Sequence, residues 1–240
     1  MNIEPLVFEV DGQKLKGKFY EPKDSSEQMG FLFIHGWTGR PNENAAKVMA
    51  ENGFYAMTIS LRGHNDSEGD INHITRDDSM KDALAAYDLF RQKLPGSTVI
   101  GVVGSSYGSY IAARLSKERE VGCLSLRVPA NYPSEGSDKP QMGHGHENPR
   151  VDLWRQQTLT YQENNALSAI HNFKGPIQVI EAELDELVPH QTVQNYVDAV
   201  SDQDQLEYLV MKDWTHSLGE DKPRNAQFQQ LLLSWAQRQK

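Results

Sequence analysis

The 240 residues contain one cysteine, Cys123, so neither an intrachain disulfide nor a Cys-x-x-Cys zinc ribbon is available. No segment approaches the ~18 apolar residues of a membrane span, and the start, Met1-Asn2-Ile3-Glu4-Pro5-Leu6, has no basic stretch leading into an apolar run. Basic residues are in the minority, 24 Lys and Arg against 33 Asp and Glu for a formal charge of −9, and they gather into no stripe. Together these absences exclude a disulfide scaffold and make nucleic acid, anionic membrane and polyanionic substrates poor partners. A soluble, cytoplasmic protein is the expectation. What is present, 38% hydrophobic and 24% charged residues, suits one large globular domain with a substantial core.

Hydrophobic patterning alternates strand-like with helix-like segments, which predicts an α/β architecture around a largely parallel sheet. Residues 6–10 and 14–20 alternate in polarity on either side of Asp11-Gly12, the turn pair of an antiparallel hairpin. Continuous apolar runs at 31–35, 55–60, 99–103, 122–128 and 177–181 read as strands buried on both faces, and 206–211 as a last strand, eight in all. Helices are predicted over 44–52, 77–94, 106–118, 190–200 and 223–239, the second presenting Met80, Leu84, Tyr87, Phe90 and Leu94 along one face. Residues 131–174 break the rhythm. Their 44 residues far exceed an ordinary α/β connection, begin without any period and have room for one or two helices over 150–170, so a lid or binding loop is expected there within a single domain, 1–240.

Gly104-Ser105-Ser106-Tyr107-Gly108 fits G-x-S-x-G and lies between a predicted buried strand and a predicted helix. A serine on so sharp a turn projects its hydroxyl above the sheet, and the flanking glycines relieve crowding. Ser105 is the rival, but only Ser106 has glycine at both −2 and +2. A hydroxyl needs a base to become a nucleophile, and the base needs a carboxylate to orient it. Of eight histidines, His216 follows the last predicted strand and precedes the C-terminal helix, at the carboxyl end of the sheet where ligands bind in such folds. Three acids, Glu183, Asp185 and Glu186, follow the 177–181 run; position favours Asp185, which a loop can turn towards His216, while the others also fit solvated loop charges. A tetrahedral intermediate requires two N–H donors. Tyr107, after Ser106, and Trp37, in the loop His35-Gly36-Trp37-Thr38-Gly39, are the candidates for that oxyanion hole.

Taken together these segments resemble the α/β-hydrolase family. His35-Gly36-x-x-Gly39 resembles its oxyanion loop, Arg62-Gly63-His64-x-x-Ser67-x-Gly69 the segment after the next strand, 104–108 its nucleophile elbow, and Asp185 with Val188-Pro189 its acid loop; the order Ser, Asp, His is the family's own. The resemblance selects Asp185 among the three acids. It implies an eight-stranded, mostly parallel sheet with helices on both faces and a lid, and a serine hydrolase of the carboxylesterase type working through an acyl-enzyme. Ser106 argues against the branches with Asp or Cys as nucleophile. The two glycine loops are similar to bacterial cinnamoyl and feruloyl esterases and to monoacylglycerol lipases, whereas Ser106-Tyr107-Gly108-x-Tyr110 is similar to the prolyl oligopeptidase family, whose longer design includes a propeller that 240 residues cannot hold. Ser109 departs from the glycine common after the elbow. A small-molecule ester is the expected partner, with no metal or cofactor; a peptidase or amidase, and a hydrolase fold that binds without turnover, are the alternatives. Trp154 and Tyr161 either line a substrate pocket or anchor the lid, and Arg127 either pairs within the fold or meets an anionic substrate. His144-Gly145-His146 lacks a third metal ligand nearby.

Overall fold

The computed structural model describes residues 1–24, 28–141, 149–219 and 221–239. Asp11 and Gly12, both at positive φ, turn β1 (Asn2–Val10) back on β2 (Gln13–Glu21) as the Asp-Gly pair predicts. β1 begins four residues earlier than the alternation indicates because Pro5 sits on an edge strand, where its missing N–H need not face a neighbour. Then follow β3 (Met29–Ile34), β4 (Tyr55–Ser60), β5 (Val99–Ser105), β6 (Cys123–Arg127), β7 (Ile177–Ala182) and β8 (Leu206–Met211). They form one sheet in the order β1-β2-β4-β3-β5-β6-β7-β8. β2 pairs antiparallel with both β1 and β4, and every other neighbouring pair is parallel.

Helices cover both faces, as period-2 burial of the strands requires. Phe31 and Phe33 of β3, Val103 of β5 and Ile180 of β7 face α1 (Glu43–Glu51) and α7 (Lys222–Gln237), which contribute Ala46, Met49, Phe228 and Trp235 to that core. Leu32, Ile34, Val102, Leu124 and Val179 face the other side, where α2 (Arg76–Lys93), α3 (Tyr107–Glu118), α5 (Asn165–Asn172) and α6 (His190–Ala199) pack. The start of α2 is set by a capping box in which Thr75 and Asp78 satisfy each other's backbone N–H. Burial of Ala166, Leu167, Ala169 and Ile170 against α3 makes α5 a sheet-covering helix. The predicted 131–174 insertion therefore divides: its last helix belongs to the core layer, and only its earlier part, with α4 (Pro149–Arg155), lies above the sheet's carboxyl edge.

The strand order reverses around β3, whose next strand in sequence lies on one side and β5 on the other. Loops leaving β3 and β5 diverge there and open a crevice at the carboxyl ends of the strands, the place where open α/β sheets bind ligands.

Candidate active site

Ser106 lies between β5 and α3 with φ 53° and ψ −116°, a left-handed backbone that costs a non-glycine residue energy and is kept only where surroundings enforce it. The enforcing contacts come from the turn after β6. Ser106 N donates to Arg127 O at 2.9 Å, and Ser106 O accepts from Ala130 N at 3.2 Å and Ser109 N at 3.0 Å. Ser109, the departure from the usual glycine, is fully buried and donates its hydroxyl to Arg127 O at 3.1 Å, a further tie to the same strand end. A Cβ on Gly108 would come 2.1 Å from Ile34 O, so only glycine lets α3 approach β3 this closely.

His216 Nε2 lies 2.9 Å from Ser106 Oγ, and its Nδ1 lies 2.9 Å from both carboxylate oxygens of Asp185. Asp185 Oδ1 also accepts from the N–H groups of Leu187 and Val188, so the acid loop itself fixes the carboxylate. The rival acids serve the histidine loop by other means. Glu186 accepts from His216 N and Glu183 from Asp213 N, which makes them backbone tethers. Arg127 donates from Nη1 to His216 O at 2.8 Å and from Nε to Ser105 Oγ at 3.3 Å, so the Ser105 hydroxyl is held by the guanidinium while the imidazole pairs with Ser106. Burial pulls the Arg127 pKa down to about 10, against the opposing pull of Asp185, so the guanidinium stays charged at neutral pH.

Gly36 runs beside this row: a Cβ there would be 3.9 Å from Ser106 Oγ. Next to it the Trp37 ring meets Tyr107 edge-on at 5.2 Å and His64 at 4.9 Å, which seats the β3 loop on the first turn of α3. Beneath lies His35, whose Nδ1 donates to Gly36 O at 2.7 Å while Nε2 accepts from Leu61 N at 3.1 Å. Burial, with His64 alongside, lowers its pKa to about 4, so the ring is neutral and acts as a backbone strut.

A cleft of about 1520 Å³ surrounds Ser106 and His216. The structure brings Ser106, Asp185, His216, Trp37 and Tyr107 together, but among the described residues neither Trp154 nor Tyr161 lines the cleft. Tyr161 stacks on His171 at 3.6 Å, on the side of α5 and α6. Of the two roles open to those aromatics, the cleft wall is made instead by other residues, Tyr132, Gln141, Arg155, Leu187 and Val188 among them. Sequence patterning passed over Tyr132 and Arg155; the signal available was an arginine within the apolar turn Leu153-Trp154-Arg155. His144 and His146 lie outside the described residues. Among the described ones no group of three metal-type ligands occurs, and no helix is long and apolar enough to cross a membrane.

The family model of the prolyl oligopeptidase family matches residues 42–240, which include Ser106, Asp185 and His216 but not the β3 loop. No curated protein sequence matches the chain significantly. Solved structures share the whole fold at low identity. Est1E from Butyrivibrio proteoclasticus, with ferulic acid bound, has a TM-score of 0.73 at 17% identity over 98% of both chains. An esterase of Pyrococcus furiosus has 0.70 at 19% identity over 99% of this chain and 90% of its own. An alpha-beta serine hydrolase homologue from Coxiella burnetii has 0.70 at 18% over 96% of each. With the family match running through most of its length and the sheet order of the hydrolase fold around it, this chain belongs to the prolyl oligopeptidase family and is an α/β hydrolase.

Proposed function

We propose that the protein is a serine carboxylesterase that cleaves small to medium acyl esters through an acyl-enzyme intermediate. The observation that carries this reading is the unbroken hydrogen-bonded row Ser106–His216–Asp185, with the hydroxyl and both ring nitrogens at 2.9 Å from their partners. His216 takes the Ser106 proton as Oγ attacks the ester carbonyl, then gives it to the leaving alcohol; Asp185 holds the proton on Nδ1 so that Nε2 faces the serine. The backbone N–H groups of Trp37 and Tyr107 hold the oxyanion. Tyr107 is the first residue of α3, where an N–H lacks an intrahelical partner and the helix end favours negative charge. Water activated by His216 releases the acid.

A fluorophosphonate probe and a panel of short-chain esters test this. Wild type should be labelled at Ser106, and Ser106→Ala should lose labelling and on the order of 10⁴-fold or more of kcat/KM while keeping its fold by circular dichroism. Folded wild type that is neither labelled nor active on any ester refutes the reading. The family match favours a second reading, cleavage of amides by the same row. Aminoacyl amides run beside the esters decide between them, since the preferred substrate has the higher kcat/KM.

A further inference from the structure

Three arginines near the candidate site are buried without a carboxylate. Arg76, Arg127 and Arg155 are 5%, 9% and 4% exposed, and among the described residues none has an acidic partner within ion-pair distance. Two of them bracket one ring. Arg76 lies 5.7 Å and Arg155 4.6 Å from the centre of Tyr132, a residue of the cleft wall. Arg76 spends its guanidinium on the carbonyls of Pro133 and Glu135 and contributes charge alone. Arg155 is different. It lines the cleft, its Nε donates to Asn131 O at 3.0 Å and its guanidinium meets the Tyr132 hydroxyl, a neutral group that leaves the charge without a carboxylate among the described residues. Beside it on the same wall, Gln141 is 4% exposed and its amide nitrogen has no partner.

A buried guanidinium with no counter-charge is costly, and the cost is offset when an anion arrives. The carboxylates that line the cleft do not supply it: Glu43 is taken by Lys18, and Asp66 is turned to solvent. We propose that the Arg155 and Gln141 wall is a subsite for a carboxylate carried by the substrate, so that the preferred esters bear a free carboxylate away from the scissile bond. This rests on the esterase reading above for the reaction, though not for the binding. Planar carboxylate matches the guanidinium fork, and the unpartnered amide supplies a further donor. Reach is set by the backbone. Arg155 is bonded to Asn131 O, and the neighbouring Ala130 N to Ser106 O, which places the anion on the order of 10 Å from the serine, a few carbon atoms beyond an ester carbonyl.

The test uses two matched pairs on the full-length protein. Monoethyl glutarate against ethyl 4-carbamoylbutanoate places the carboxylate or its neutral amide on the acyl side; 4-acetoxybutanoate against 4-acetoxybutanamide places it on the alcohol side. In wild type the acid should exceed the amide in kcat/KM by about ten- to a hundredfold in one pair, the range of a charge-assisted contact. Arg155→Met should bring that ratio close to one, and Arg155→Lys should recover part of it. Ratios at or below one in both wild-type pairs overturn the subsite, as does an Arg155→Met protein that slows acid and amide in proportion. The wild-type ratios stand whether or not a variant folds. Calorimetric titration of Ser106→Ala with the same four compounds separates the two proposals. Selective binding of the acid without turnover by wild type keeps the subsite and rejects the esterase, whereas turnover without any acid preference does the reverse.

Discussion

Arg62 and Arg155 are equally hidden, at 5% and 4% exposure, yet their surroundings are opposite. Arg62, just after β4, donates to Asp82 from Nε, Nη2 and its backbone N–H, and has Asp11 and Asp78 within 3.4 Å. Arg155, on α4, has a carbonyl, the face and hydroxyl of Tyr132 and an open cleft, all of them uncharged. The first charge is neutralised within the fold, so it staples the 62–69 loop to α2 and is closed to anything else. The second has no carboxylate partner among the described residues, so an anion from outside is a favourable partner for it. Burial alone therefore says little about what a buried arginine does; the count of carboxylates around it decides.

The largest effect separating the two sites should come from Asp82→Ala. It strands Arg62 in the interior, with only the half-exposed Asp11 and the less exposed Asp78 left nearby, each at 3.4 Å, and should cost about 3–5 kcal/mol in urea unfolding. A loss below 1 kcal/mol would show that Arg62 is no better neutralised than Arg155. A second, smaller effect concerns His35 beneath the β3 loop, where a buried imidazole escapes the arginine's problem by discarding its proton. The unfolded chain protonates it near 6.5 and the folded protein only at about 4. Its contribution is complete above pH 6.5 and is lost as pH falls towards 4, an amount of roughly 3 kcal/mol by linkage, with His64, also lowered by burial, adding to the same slope. A flat unfolding free energy between pH 7 and 4.5 would contradict the neutral strut. The smallest effect belongs to Arg155→Met, which removes an uncompensated charge and keeps most of the packing volume. Its unfolding free energy should stay within about 1 kcal/mol of wild type, in contrast to Asp82→Ala. A loss as large as that of Asp82→Ala would mean that Arg155 is a structural staple.

Legibility along the chain followed the range of the interactions involved. Strands such as β4 and β8 and the helix α6 are readable because their hydrophobic patterns are local, with Gly53 before β4 and Pro189 before α6 as further marks. Pro5 concealed the start of β1, since proline's tolerance depends on whether a strand lies at an edge, which no local pattern records. Ser106 was separable from Ser105 by its two glycines, and the structure supplies the reason in the 2.1 Å that a Cβ at Gly108 would leave to Ile34 O. The insertion was the least legible part. Its polar, aperiodic start announces a loop but not which side chains turn inward, so Trp154 and Tyr161 stood out by size while Tyr132, Gln141 and Arg155 form the wall.

From the sequence alone came the strand and helix alternation, the hairpin at Asp11-Gly12, the G-x-S-x-G turn and the placement of Asp185 and His216 after successive strands. Those are statements about neighbours along the chain, where backbone sterics and hydrophobic period operate. Only the tertiary structure decided that Asp185 meets His216 from 31 residues away and Ser106 meets it from 110, that Glu183 and Glu186 are tethers, and that Arg62 is neutralised while Arg155 has no carboxylate partner among the described residues. The physical reason is that hydrogen bonds and charge compensation depend on distance through space, and in this sheet the residues that compensate one another lie on different strands and loops.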